Sequence, residues 1–106
     1  MLKNEQPPRM YLVLREDLAY KYIQGGHALA QFALEHYDLF KEWNNEYLIN
    51  LSVFNGLSLK GLTEDLDRKG IIYSAFVEPD LESELPTAIA HYGTGECFGG
   101  LPLATK

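Results

Sequence analysis

MYLVLREDLAYKYIQGGHALAQFALEHY, residues 10 to 37, decides how this chain reads. Met10 to Leu14 are continuously apolar, and the run breaks at Arg15-Glu16-Asp17. Strands with one wet face alternate, so an uninterrupted apolar run predicts a strand covered on both faces. After a short loop, apolar residues recur at Ile23, Ala30, Leu34 and Tyr37, with Leu29, Phe32 and Ala33 widening the stripe. That spacing predicts a largely buried helix from Tyr22 to about Tyr37. A strand feeding a helix gathers polar groups, here those of the elbow plus Gln24 and His27, where the ligand crevices of α/β proteins form. Gly25 and Gly26 each cost about 1 kcal/mol against Ala inside a helix. Their expected compensation is close approach of another backbone or of a ligand.

Working outward, residues 1–9, with Pro7-Pro8, read as a flexible arm, and residues 10–106 as a single domain. Asp38 to Trp43 reads as a further short helical turn and Asn44-Asn45 as a loop. Tyr47 to Phe54 alternates, with Ile49, Leu51 and Val53 on one face and Asn50 and Ser52 on the other, which predicts an edge strand with one partly wet face. Ser58 is the expected cap of a helix with the stripe Leu59, Leu62 and Leu66, ending at Gly70. Ile71 to Val77 reads as a third strand and Thr87 to Tyr92, made of small residues, as a fourth. The glycine-rich tail, GTGECFGGLPLATK, reads as irregular.

The order is therefore β-α-β-α-β-β. Two helical crossovers favour parallel, right-handed units. The connection from Glu78 to Pro86 is too short for a crossover, so strand four should run antiparallel. The expected fold class is α/β: a three-layer α/β/α sandwich on a mixed four-stranded sheet of order 2-1-4-3. In that topology Arg15 to Asp17, Glu78 to Asp80 and Thr87 share one rim of the sheet with Gln24 and His27. A helix N-terminus at that rim favours an anion.

Composition narrows the classes. At 106 residues, roughly 65% of the unfolded chain's surface can be buried, enough for a core without staples. Fifteen acids against nine bases give a net charge of −6, which counts against a broad phosphate-gripping face. Arg9, Arg15 and Lys21 flank the first strand and leave room for a local positive patch. One cysteine, Cys97, excludes an intramolecular disulfide and fits a reducing compartment. No segment reaches the ~20 apolar residues of a membrane span. The N-terminal residues lack the apolar core of a signal peptide, so the expected location is cytoplasmic.

The residues at the elbow and first helix resemble the type II peptidyl-tRNA hydrolase family. The family pattern, a strand ending in Val-Arg-x-Asp-Leu and a helix with Gln-Cys-x-His-Ala, is matched here by LVLREDL, residues 12–18, and by Gln24-Gly25-Gly26-His27-Ala28. AFVEPDLESELPTAIA, residues 75–90, is similar to the family's acidic loop and threonine-initiated last strand. The likeness spans roughly residues 10 to 92, and the family fold is the topology derived above. Where the family carries a lysine, four residues before the helix glutamine, this chain has Tyr20, with Lys21 adjacent. The family's loop aspartate falls on Glu78 or, with a gap, on Asp80. Its longer Gly-Arg-Thr-Gln stretch is missing here.

The resemblance implies cleavage of the ester joining a peptide to the terminal ribose of tRNA, by a homodimer with no cofactor and no metal. Such hydrolysis needs a base beside the attacking water and donors aimed at the developing oxyanion. His27 or Glu78 is the expected base, Gln24 and Thr87 are expected donors, and Arg15 or Lys21 is expected to hold a phosphate. Asp17 and Asp80 complete the expected substrate-binding set. Each residue also has a plainer role. His27 fits a core histidine, Gln24 a loop tie, Glu78 before proline a turn, Thr87 a strand start, and Lys21 a solvated helix-end charge. A second function class, a catalytically silent domain of this fold binding a nucleotide or a protein partner, uses the same rim. Cys97 lacks a local partner for nucleophilic chemistry, and His36 and His91 lack metal-ligand spacing.

Overall fold

The computed structural model describes residues 7–81 and 83–105. Its elements are β1 (Arg9–Arg15), α1 (Lys21–Glu35), α2 (Tyr37–Trp43), β2 (Leu48–Val53), α3 (Gly56–Arg68), β3 (Ser74–Phe76) and β4 (Ala88–Gly93), followed by a 3-10 turn, Glu96–Phe98. The four strands form one mixed sheet of order β2-β1-β4-β3, as the connection lengths predict. β1 runs parallel to β2, and β4 runs antiparallel to both β1 and β3. Of the arm expected over residues 1–9, residues 1–6 lie outside the described residues, and Arg9 already belongs to β1.

Two cores explain the continuous apolar run. Met10, Leu12 and Leu14 pack on one face with Ala28 and Phe32 of α1 and Trp43 of α2. Tyr11 and Val13 pack on the other with Leu59 and Leu66 of α3, Ile89 and Phe98. Successive side chains of a strand point to opposite faces, so β1 needs a helix layer on each side. Each fully buried Leu or Phe is worth about 1.5–3 kcal/mol. The three-layer α/β arrangement follows from that burial.

Several local expectations are corrected. The helix starts one residue earlier than its apolar stripe suggests and breaks at His36, where φ is −135°, before α2 resumes. The cap of α3 is Asn55, not Ser58: the Asn55 side chain accepts the Ser58 backbone N–H at 2.9 Å. β3 is shorter than Ile71–Val77 because the Ile71 N–H is still donating to Leu66 O at 3.0 Å, closing the helix end. On the face of β2 expected to be partly wet, Asn50 is half-buried and Ser52 is enclosed, and the strand's outer edge is covered. Ser52 N–H donates to Pro102 O and Ala104 N–H to Asn50 O, both at 2.9 Å, while Leu51 and Leu103 form an antiparallel bridge. The tail therefore covers this edge, leaving Ser52 only 3% exposed. A sheet edge is a row of unpaired donors and acceptors, and a chain segment laid along it satisfies them.

The glycine pair divides into two different positions. A Cβ on Gly25 would lie 2.7 Å from Leu14 Cδ2, so this glycine lets α1 settle onto β1. Gly26 has open space around it and is exposed, which corrects the expectation that both admit a close neighbour. Leu14 is fully buried and has little room to yield. Gly25→Val is therefore expected to lower stability by about 1–3 kcal/mol through overpacking. Gly26→Ala is expected to raise it by up to about 1 kcal/mol through helix propensity. Urea denaturation of the two variants checks both signs.

Candidate functional site

α1 and the segment after β3 face one another across a cavity of ≈530 Å³. Its wall is built by Leu18, Tyr20, Ile23, Gln24 and His27 on one side and by Glu78, Asp80 and Leu81 on the other. Positions 20, 23, 24 and 27 recur at three- and four-residue intervals, so one stripe running from the N-cap of α1 into its first turns supplies much of the lining.

A buried hydrogen-bond chain fixes the polar part of this wall. The Thr87 hydroxyl lies 2.8 Å from Gln24 Oε1 and 3.1 Å from Phe76 O, and its single proton serves these two acceptors. Holding the carbonyl end of Gln24 turns its amide nitrogen outward, and Nε2 donates to Glu78 Oε2 at 3.2 Å. Glu78 Oε1 also accepts the Asp80 backbone N–H at 3.4 Å. Gln24 is 8% exposed and Thr87 1%. Thr87 is thus a positioning residue behind the wall, and Glu78 is the group it holds, through Gln24, at the cavity.

His27 is exposed, contrary to the reading as a core histidine. Its ring stacks on Phe76, with centroids 4.6 Å apart and planes 14° apart. Phe76 and Glu78 are two residues apart, a spacing that shares one face on an extended chain. That parity was the available sequence signal for Phe76, which the sequence reading passed over.

The remaining expected site residues lie elsewhere. Arg15, Asp17 and Lys21 are not part of the cavity lining. Arg15 continues the parity of Tyr11 and Val13 and points to the α3 side of the sheet. Its guanidinium pairs with Asp17 in bidentate fashion at 2.8 and 3.0 Å, and its Nη1 donates to Pro86 O at 3.3 Å. Gly56 leaves the space it occupies, since a Cβ there would sit 2.9 Å from the guanidinium. The Arg15 bonds hold the Asp17 carboxyl below the usual carboxylate range.

Lys21 is buried beside the elbow, with Nζ 2.9 Å from Glu16 Oε2 and 2.9 Å from Thr105 Oγ1. The structure therefore does not bring Arg15 and Lys21, the expected phosphate holders, to the cavity lined by Gln24 and His27. Both cations are consumed in ion pairs that tie the elbow to the rest of the chain. Rim residues from separated segments do meet, but Gln24, His27, Glu78 and Asp80 meet at the cavity while Arg15 and Asp17 meet across the sheet from it.

The Glu16 cluster was not foreseen. The carboxylate accepts the Thr105 hydroxyl at 2.5 Å and the Thr105 backbone N–H at 3.0 Å, and the Tyr22 hydroxyl donates to Thr105 O at 2.5 Å. These bonds, with Lys21, pin the tail against the elbow. No three His, Cys, Asp or Glu side chains gather to hold a metal ion among the described residues. Burial pushes the Cys97 thiol up, away from the reactive thiolate.

A second hollow of ≈550 Å³ lies against Leu29, Tyr37, Phe40, Trp43, Asn44 and Asn45, with Lys41 as its one ionisable side chain besides the tyrosine. It lacks the convergent acid–base groups of the first. No described helix is long and apolar enough to cross a membrane.

No family model and no curated protein sequence matches the chain. Among solved structures it is similar to a protein of unknown function from Agrobacterium tumefaciens strain C58. The TM-score is 0.68 and the identity 10%, over 95% of this chain and 100% of that one. At that identity the likeness shows the fold alone.

Two expectations follow from this geometry. Thr87→Val keeps the shape but leaves the buried Gln24 carbonyl without its donor. It is expected to cost about 1–3 kcal/mol, read by urea denaturation, with Thr87→Ser close to the parent. The tail contact should also be acid-sensitive. Hydrogen bonds from the Thr105 hydroxyl and Lys21 draw the Glu16 pKa down from 4.5 to about 2. A depressed folded-state pKa stabilises above the ordinary value, and that contribution disappears as pH falls through the depressed one. Protection of the Thr105 amide from hydrogen exchange should therefore hold at pH 5 or above. It should decline relative to core amides between about pH 4.5 and 2, and Glu16→Gln should lower it already at neutral pH.

Proposed function

We propose that this chain is a peptidyl-tRNA hydrolase-like esterase that cleaves the ester between a peptide and a tRNA end in the cavity between α1 and Glu78. One observation carries the reading: the Thr87–Gln24–Glu78 chain holds a carboxylate at a cavity that His27 also lines. A base held within reach of a bound water is what ester hydrolysis requires.

In this mechanism Glu78 takes a proton from water as the water oxygen bonds to the ester carbonyl carbon. Gln24 Nε2 carries a second N–H beyond the one given to Glu78, and this proton is the donor for the oxyanion. The carbonyl re-forms, the bond to the ribose oxygen breaks, and the proton taken by Glu78 passes to that oxygen through the edge of the His27 ring, one nitrogen receiving it as the other gives up its own. Thr87 keeps Gln24 oriented and takes no part in proton transfer. The resemblance of the elbow and first helix to the type II peptidyl-tRNA hydrolases supports the substrate class, and the same resemblance implies a homodimer.

A different observation favours the second class, a silent binding domain on the same fold. The lining of the cavity holds no lysine or arginine, and Tyr20, 71% exposed, stands where the family has its lysine. One assay separates the two. Release of peptide from an N-blocked aminoacyl-tRNA is expected for the parent protein, falling about 10²–10⁴-fold in Glu78→Gln. An inert parent protein that still binds the tRNA decides for the silent domain. Because the cavity offers no cation, tRNA binding is expected to weaken only shallowly as salt rises, a slope read by titration at several ionic strengths.

A further inference from the structure

We infer that the outer edge of β2, with Glu16, Lys21 and Tyr22 beside it, is a binding site for an extended segment of a partner protein, which residues 101–105 occupy as a displaceable stand-in. The site lies apart from the cavity of the proposed function, because Glu16, Lys21, Tyr22 and Ser52 do not line that cavity.

The tail shows what the edge accepts. Ser52 N–H donates to Pro102 O, Ala104 N–H donates to Asn50 O, and Leu51 bridges Leu103 in antiparallel register. Next to this short ladder, three side chains engage all the polar groups of one threonine. Glu16 accepts both the N–H and the hydroxyl of Thr105, and the Tyr22 hydroxyl donates to the Thr105 carbonyl. Lys21 Nζ donates to the same Thr105 hydroxyl oxygen at 2.9 Å. Lys21 is 9% exposed and held by its ion pair with Glu16, so it is a fixed donor and not a wandering surface charge. Strand addition takes affinity from main-chain bonds and specificity from such side-chain contacts.

The tail fills this site imperfectly. The Leu51–Leu103 bridge sets Ser52 opposite Pro102. In a hydrogen-bonded antiparallel pair each residue donates to the other. Proline has no N–H, so Pro102 cannot return a bond to the Ser52 carbonyl. A hollow of ≈400 Å³ also stays open between Leu101 and Pro102 of the tail and Val53, Phe54 and Ser58. Leu101 and Ala104 pack against the two cores, but Leu103 is 70% exposed. A segment with few buried apolar contacts and exposed polar bonds opens at low free-energy cost. The better occupant is therefore an extended segment with an apolar residue other than proline at the Pro102 position. It keeps a small residue at the Ala104 position and a threonine or serine at the Thr105 position.

The test uses the full chain carrying Thr105→Pro, which removes both donors to Glu16 and frees the edge. It is titrated calorimetrically with a synthetic peptide of residues 99–105, blocked at both ends. Saturable binding is expected. Thr105→Val in the peptide, which removes only the hydroxyl, should weaken binding about tenfold or more, as expected for loss of a bond to charged groups. Pro102→Val in the peptide restores the N–H and should tighten binding about two- to tenfold. Both comparisons are made on one folded host, so neither depends on the stability of a further protein variant. Hydrogen exchange locates the peptide, because the Ser52 amide should slow on binding. The unaltered chain should bind the same peptides more weakly, since its own tail competes at high effective concentration.

Absence of binding, equal affinity after Thr105→Val, or no gain from Pro102→Val overturns the inference. Binding that leaves exchange at Ser52 unchanged overturns it as well. So does a dimer of the unaltered chain that Thr105→Pro dissociates, an outcome that gives the edge to the tail of a second copy.

Discussion

β1 is buried on both faces and paired on both edges, and the rest of the molecule is arranged to satisfy that strand. β2 and β4 take its hydrogen bonds, α1 and α2 cover Met10, Leu12 and Leu14, and α3 covers Tyr11 and Val13. A strand with no wet face leaves few alternatives. The chain must leave it, cross over one face, return, and cross over the other. The elbow after β1 is therefore where two layers of helix part, one on each side of the sheet.

That parting sorts the polar residues of the elbow. Side chains alternate along the strand, so Arg15 follows Tyr11 and Val13 to the α3 side. There it is buried, paired with Asp17 and bonded to the backbone at Pro86. Glu16 and Lys21 meet near the start of α1 and are taken up by Thr105 of the tail. A buried charge needs a partner, and these two pairs provide one while fastening the elbow. The consequence for function is a cavity without cations. The polar side chains of α1 that line it are those of Gln24 and His27, facing Glu78 and Asp80. The rim that looked like one polar cluster along the chain is two clusters with different work: one locks the fold and the other lines the hollow.

The chemistry of the cavity depends on a residue that never touches it. Thr87 lies at the entry to β4, fully enclosed, and its hydroxyl sets the orientation of the Gln24 amide. An amide side chain can present either end, and a buried donor on its carbonyl side decides which one meets Glu78. The site is thus built from the inside outward, from sheet to helix glutamine to loop carboxylate.

Much of this was legible along the chain. The unbroken apolar run, the 3.6-residue stripes and the short connection before β4 determined the α/β class, the strand order and the rim on which Gln24, His27, Glu78, Asp80 and Thr87 gather, because periodicity and loop length are local properties. Tertiary structure alone decided three other matters. It made Gly25 a packing contact and left Gly26 open, since only the seating of α1 on Leu14 separates them. It laid the tail, some fifty residues further along, against the outer edge of β2, a pairing that the alternation of β2 does not announce. And it withdrew Arg15 and Lys21 from the cavity while laying His27 over Phe76. Which partner a charge or a ring finds depends on chain segments distant in sequence, and no local pattern encodes that choice.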